Sequence, residues 1–254
     1  MKRSLALLTV LLSLGTSVAM AASAVPAAAP KPATPSIPIL VYHHVRATKG
    51  YAKSTWSWKM SVSPKVFEAQ MQWLVDHGYQ TVSLDAAAAI LQGKDAGPAK
   101  PVVITFDDNN LTAYDLALPV LLSHGQTATY YIITNKLGNK STIDRDRVKD
   151  LVAKGMDIQS HTDSHVVLTA VGTKRLDFEL TESKRILEEL TGRPVTHLAY
   201  PGTAHNKTVR EHAQKAGYVT GTLMDPRNAT PKDDLMKLPR IMMTDDTKLA
   251  KVLP

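Results

Sequence analysis

No cysteine occurs in the 254 residues. Disulfides, thiolate zinc sites, iron–sulfur clusters, a cysteine nucleophile and a lipid anchor on cysteine are therefore excluded. No predicted strand is followed by a glycine-rich phosphate loop, and no internal repeat is visible. No Lys/Arg run or stacked aromatic pattern points to nucleic acid. The apolar run from Leu5 to Leu14 is too short to span a bilayer. What is present is 44% hydrophobic and 21% charged residues with a formal charge of +7, a composition suited to one large domain with a sizeable core.

The short apolar run has its own meaning. Lys2 and Arg3 precede it and Ala19-Met20-Ala21 follows, the three-part pattern of a secretory signal peptide over 1–21. Cleavage is expected after Ala21, with Ala22-Ser23-Ala24 as a second candidate, and the mature chain is expected to be periplasmic or secreted. Loss of the leader removes two positive charges and no negative ones, leaving about +5. Residues 22–36, rich in Ala and Pro, read as an extended tether before a single domain over 37–254.

From Ile37 onward, strands alternate with helices. Predicted strands are Ile37–Tyr42, Gln80–Leu84, Val102–Phe106, Thr127–Ile133, Met156–Ser160, His197–Tyr200, Tyr218–Leu223 and Leu238–Met243. Helices are predicted from Ser63 to Gly78, after an Asp85 cap, over Leu111–Ser123, Asp144–Lys154, Thr173–Thr191 and Lys207–Ala216. This spacing predicts a parallel α/β architecture, a distorted (β/α) barrel of about seven strands, whose chemistry sits at the C-terminal strand ends. Residues 46–60 read as a loop whose Tyr51, Trp56 and Trp58 either line a sugar site or cover the barrel mouth.

Three segments at strand ends carry candidate chemistry. In the first, Pro101-Val-Val-Ile-Thr-Phe-Asp-Asp108 ends an apolar strand in two adjacent carboxylates. Consecutive side chains on a strand point to opposite faces, so both acids reach one site only if the chain leaves the strand there, and Asn109-Asn110 supply the turn chemistry. A bound cation would offset the repulsion, whereas a helix N-cap is the plainer reading. The second segment, Ser160-His-Thr-Asp-Ser-His165, places two histidines four apart. If the segment turns helically they converge on a metal, and with a carboxylate they form a set that leaves positions open; surface or capping histidines are the alternative. In the third, Ala199-Tyr-Pro-Gly-Thr-Ala-His-Asn206, the Pro-Gly pair either presents backbone N–H groups to an oxyanion or is an ordinary turn.

Taken together, Thr105-Phe-Asp-Asp108, Ser160-His-Thr-Asp-Ser-His165 and Tyr200-Pro201 with Asn206 resemble the polysaccharide deacetylases, family four of the carbohydrate esterases. Pro38-Ile-Leu-Val-Tyr-His-His44 and Leu238-Pro-Arg-Ile241 extend the resemblance over about residues 37–243. It implies removal of N-acetyl groups from an N-acetylhexosamine polysaccharide. Asp108, His161 and His165 are then expected to bind a divalent metal, zinc first, with cobalt or nickel as alternatives. Asp107 is expected as general base, Arg240 as the cation that orients it, and a backbone N–H near Gly202 as oxyanion donor.

Three positions depart from the family pattern. Asn109 stands where the family has glycine. Pro201-Gly202-Thr203 lacks an aromatic ring that usually walls the substrate. The family's late histidine, its general acid, has no counterpart, since the last histidine is His212. His43, His44 and His205 are the candidates for its role. Two rival readings stay open: an esterase acting on O-acetyl groups, as in xylan, and a saccharide-binding protein that kept the metal cage without catalysis.

Overall fold

In the computed structural model, which describes residues 34–253, ten strands and eight α-helices follow one another along the chain. The strands are β1 (Ile39–Tyr42), β2 (His44–Val45), β3 (Ser61–Val62), β4 (Gln80–Thr81), β5 (Pro101–Phe106), β6 (Thr129–Ile132), β7 (Asp157–Ser160), β8 (His197–Ala199), β9 (Thr220–Met224) and β10 (Leu238–Met242). The helices are α1 (Trp56–Lys59), α2 (Pro64–Asp76), α3 (Leu84–Leu91), α4 (Leu118–Ser123), α5 (Arg145–Ala153), α6 (Thr173–Thr191), α7 (Lys207–Lys215) and α8 (Leu249–Val252). The expected leader and most of the tether lie outside the described residues.

Seven strands close into an all-parallel ring. In spatial order β1, β5, β6, β7, β8, β9 and β10 each pair with the next, and β10 returns to β1. β4 is a wedge beside the first two residues of β5. This is the distorted barrel expected from the alternation. Gln80–Leu84 is not one strand, however. Ser83, not Asp85, caps α3, its side chain accepting the Ala86 N–H, and this side-chain acceptor ends the extended segment early. The helix expected over Leu111–Ser123 contains a π-turn at Ala113–Ala117. Pro119, which has no N–H for the ladder, sits where the register returns to α.

Alternation along the strands divides the core. Leu40, Val102, Ile104, Tyr130 and Leu198 pack outward under the helices. Ile39, Val103, Tyr131, Ala199 and Leu238 pack inward, over α3 residues Leu84, Ala87 and Ile90, which close the N-terminal end of the ring. The inward set continues upward into polar residues. Arg240 of β10 bonds Thr105 of β5 and lies 5.3 Å over the Tyr131 ring of β6, although β10 pairs only with β1 and β9. Contact between strands that are not neighbours places these side chains in the barrel interior. The lower lumen is mainly apolar, with a polar pair in which buried His197 of β8 meets Asp85 of α3 at 3.1 Å, whereas Arg240 and the strand-end carboxylates gather at the C-terminal mouth.

Candidate active site

The first loop leaves β5 through two left-handed residues. Asp107 N–H still donates to the Tyr42 carbonyl at 3.0 Å, continuing the β1–β5 ladder. Asp108 (φ 69°) and Asn109 (φ 41°) then turn the chain out, and only this turn lets both acids face the mouth. Asn109 does more than tolerate the conformation. Its Oδ1 accepts the Ile133 N–H at 3.3 Å and its Nδ2 donates to the Ile133 carbonyl at 3.5 Å, so its amide satisfies the buried backbone just past β6, a bond pair glycine cannot make.

The two acids have opposite surroundings. Asp107 is 2% exposed and faces Arg240, which is 1% exposed, in a bidentate pair with both N···O distances 2.7 Å. Burial pushes the Asp107 carboxyl up, but the Arg240 guanidinium, aided by His161 and His43, outweighs it and holds the group below the usual carboxylate range. Asp108 is half-buried and turns instead to the histidines. Its Oδ1 is 3.5 Å from His161 Nε2 and 3.3 Å from His165 Nε2. Its burial penalty is exceeded by the His161 hydrogen bond and by the neighbouring histidine charges, so it too is depressed.

The histidines do not converge through a helix. The segment after β7 is irregular, with Thr162 at φ 67° and His165 at φ 61°. That is a correction to the expected helical turn, and its cause is local bonding. His165 N–H donates to Thr162 Oγ1 at 3.0 Å, Thr162 N–H to Ser160 Oγ at 3.1 Å, and Thr134 Oγ1 to Asp163 Oδ1 at 2.7 Å. These side-chain acceptors replace the i→i−4 ladder.

Three features of the donor set bear on a metal. Asp108, His161 and His165 offer one ligand atom each, all within 4.8 Å of one another. His161 Nδ1 lies 2.8 Å from the Ala199 carbonyl, an acceptor that turns Nε2 toward Asp108. Burial pushes the His161 pKa down, but the two carboxylates outweigh it and raise it, a surplus of negative charge that a divalent cation would offset. His165 is pushed down to about 4, chiefly by burial and then by His161, and so is the neutral ligand form at neutral pH. The residues present fit a divalent cation with open positions.

One supporting residue carries only a faint signature in the sequence. Glu179 of α6 is fully buried, accepts the Ser164 N–H at 2.8 Å and the Ser164 hydroxyl, and pairs with Arg175 at 2.6 Å. It clamps the backbone between the two histidines. On the helix it reads as one more acidic residue of an amphipathic pattern. Its position inside the apolar stripe, three residues after Leu176, was the available signal.

The candidate acids separate cleanly. His43 lines the same cavity of about 100 Å³ as Asp107, Asp108, His161, His165, Gly202 and Arg240. Its Nε2 stands 4.0 Å from Asp107 Oδ2, and its Nδ1 is buried without a hydrogen-bond partner. Burial lowers its pKa against the pull of both carboxylates. His44 faces a different groove with Arg46 and Asn110, and His205 lies in a third beside Asp225 and Lys237. Neither reaches Asp107. Gly202 is left-handed (φ 58°), and the bonds of its turn run from Thr203 N–H to the Tyr200 carbonyl and from Ala204 N–H to the Pro201 carbonyl. The Gly202 N–H takes part in neither.

A parallel barrel whose mouth gathers an arginine-paired carboxylate beside a two-histidine, one-carboxylate cluster defines a hydrolase centre. The sequence matches the polysaccharide deacetylase family over residues 94–221. It is 30% identical to YxkH of Bacillus subtilis, named for the same family, over 84% of this chain and 73% of that protein. The chain belongs to the polysaccharide deacetylase family. It is also 29% identical to a poly-beta-1,6-N-acetyl-D-glucosamine N-deacetylase of Staphylococcus epidermidis, over 73% of this chain and 69% of that one. Among solved structures it superposes on the Streptococcus pyogenes deacetylase PplD in complex with acetate, with TM-score 0.82, 25% identity and coverage of 87% and 99% of the two chains. IcaB from Ammonifex degensii gives TM-score 0.72 at 25% identity, covering 83% and 93%.

Proposed function

We propose that the protein is an exported, metal-dependent N-deacetylase of an N-acetylhexosamine polysaccharide, with zinc as its first-choice metal. The observation that carries this reading is the division of labour between adjacent acids: Asp107 is held by Arg240 and Asp108 by the two histidines. A binding protein needs only the ligand acid. The buried pair is costly to desolvate and leaves Asp107 ionised beside the cluster, as a general base requires. Similarity to the staphylococcal N-deacetylase supports an amide substrate.

Asp108, His161 and His165 would hold the cation, which when bound supplies Lewis acidity toward the acyl carbonyl and a neighbouring water. Asp107 accepts the proton of the attacking water through the carboxylate edge that Arg240 keeps in place. The Gly202 N–H is the backbone donor for the oxyanion. His43 is the general acid, since it alone of the three candidates stands beside Asp107 with a ring nitrogen engaged in no hydrogen bond. His43 and Asp107 directly follow β1 and β5 and stand 4.0 Å apart, and because burial holds the His43 pKa down, the proton it gives to the leaving sugar amine is the one that Asp107 takes from water and passes on.

The experiment is acetate release from N-acetylglucosamine oligomers by protein stripped of metal and resupplied with zinc, cobalt or nickel. Metal-restored release is the expected result. Release from acetylated xylan oligomers alone would replace the amide with an ester. Stoichiometric metal binding with no release from either would leave a saccharide-binding protein.

A further inference from the structure

The loop 46–60 is an excursion from the C-terminal end of β1, and its base is rigid. β2 and β3 pair in parallel, Arg46 Nε donates to Ser61 Oγ at 2.9 Å, and Ser61 Oγ donates to the Ser57 carbonyl at 2.6 Å. Asp245 accepts the Ser63 N–H at 2.6 Å, and Lys53 pairs with Asp246 at 2.7 Å. Three aromatic rings ride on this frame, and two have a cation against one face: Arg46 lies 5.2 Å from the Tyr51 centroid and Lys53 5.4 Å from that of Trp58. Trp56 differs. Among the described residues no ring or cation is stacked on it, and it is 67% exposed, the highest value among the large apolar side chains left in solvent. It also lines the catalytic cavity together with Met60.

The segment after β8, which lines the same cavity through Tyr200 and Gly202, offers it no exposed ring. The turn Pro201-Gly202-Thr203 carries no ring, and Tyr200 is 2% exposed, its hydroxyl end packed against Gly221. We propose that Trp56 is the sugar platform of this site, stacking its indole on the apolar C–H face of an N-acetylhexosamine ring at the cavity mouth. It supplies from the β1 side the aromatic wall that the turn after β8 does not provide. A pyranose ring buries apolar C–H surface on one face while its hydroxyls stay in water, which suits a rigid, half-solvated indole. Thr55 caps α1, its Oγ1 accepting the Trp58 N–H at 3.3 Å, so the backbone that carries the platform is in place before substrate arrives and its ordering need not be supplied by binding.

This inference rests on the deacetylase reading, and the test separates the two. A zinc-loaded Asp107→Asn protein is titrated with a pentamer of N-acetylglucosamine while tryptophan fluorescence is followed, alone and combined with Trp56→Ala, Trp56→Phe or Trp58→Ala. The matching single variants at 56 and 58 are assayed for acetate release. Trp56→Ala is expected to weaken binding and raise KM about tenfold with kcat within about twofold, the scale of one aromatic anchor lost. It should also abolish the fluorescence change. Trp56→Phe restores most of the affinity, and Trp58→Ala changes neither. Because Trp56 is exposed, these variants keep the thermal midpoint of their parents. Binding and KM unaltered in Trp56→Ala overturn the platform and leave the deacetylase reading standing. No pentamer binding and no acetate release by any form overturn both. A dimer that dissociates in Trp56→Ala with unchanged sugar affinity would assign the ring to self-association instead.

Discussion

Helices on the outside of the barrel run out into glycine, whereas the loops at its mouth turn left-handed not only through glycines such as Gly202 but also through residues with side chains. α2 ends at Gly78 (φ 73°) and α6 at Gly192 (φ 64°). Around the site, Asp108, Asn109, Thr162, His165 and Thr203 take the same left-handed region, and these five are the non-glycine residues that do so among the described residues. Glycine would remove a cost of about 1–2 kcal/mol at each position, and the β-branched Thr162 and Thr203 are the least suited to it. Yet glycine carries no ligand, base or hydroxyl. Strain is therefore concentrated where the side chain is needed, and the outer turns, which have no such duty, are relaxed. Networks such as Thr162 Oγ1 to His165 N–H hold the strained loops in place.

The largest effect is expected at Asp107. Asp107→Asn is expected to cut acetate release about 10²–10⁴-fold with metal stoichiometry unchanged, measured by steady-state kinetics and metal analysis. The same variant reads the buried pair. The folded pKa of Asp107 is depressed below its unfolded value of about 3.9. Its contribution to stability is thus complete above about pH 4 and lost as pH falls through the folded value. The gap in thermal midpoint between wild type and Asp107→Asn should be widest above about pH 5 and narrow below about pH 4; a gap independent of pH would remove the ionised pair from the account.

A smaller effect is expected behind the histidine loop. Glu179→Gln keeps the shape but weakens the clamp on Ser164, and should loosen zinc affinity about 10–100-fold while leaving far-ultraviolet dichroism unchanged. Affinity equal to wild type would mean that Thr162 and Thr134 hold the loop unaided. The smallest is on the relaxed side. Gly192→Ala introduces a Cβ with no atom within 4 Å, so only the left-handed backbone opposes it. The expected loss is about 1 kcal/mol, or roughly 2–4 °C in thermal midpoint, with zinc binding and turnover untouched.

Much of the architecture was legible before any coordinates. α6 runs over Thr173–Thr191 as its amphipathic period predicts, and the strand candidates other than Gln80–Leu84 fall within a residue or two of the observed ones. Asp107, Asp108, His161 and His165 were legible because strand-end acids and a spaced histidine pair are local patterns. Three things were not. His43 and His44 are equivalent in sequence, and only the register of β1, in which a one-residue slip exchanges faces, puts His43 in the cavity. Glu179 is ordinary until the loop after β7 packs on it. Trp56, Tyr51 and Trp58 look alike until the cations that cover two of them are placed.

By itself the sequence determined the order of elements, most of the helix stops and the residue types of the candidate site, since each depends on neighbours within a few positions. Tertiary structure alone decided which side chains share the lumen. Strands buried on both faces are apolar throughout and carry no alternation from which inside and outside can be read. Arg240 and Asp107 are separated by 133 positions and meet only because β10 and β5 both pair with β1 when the ring closes.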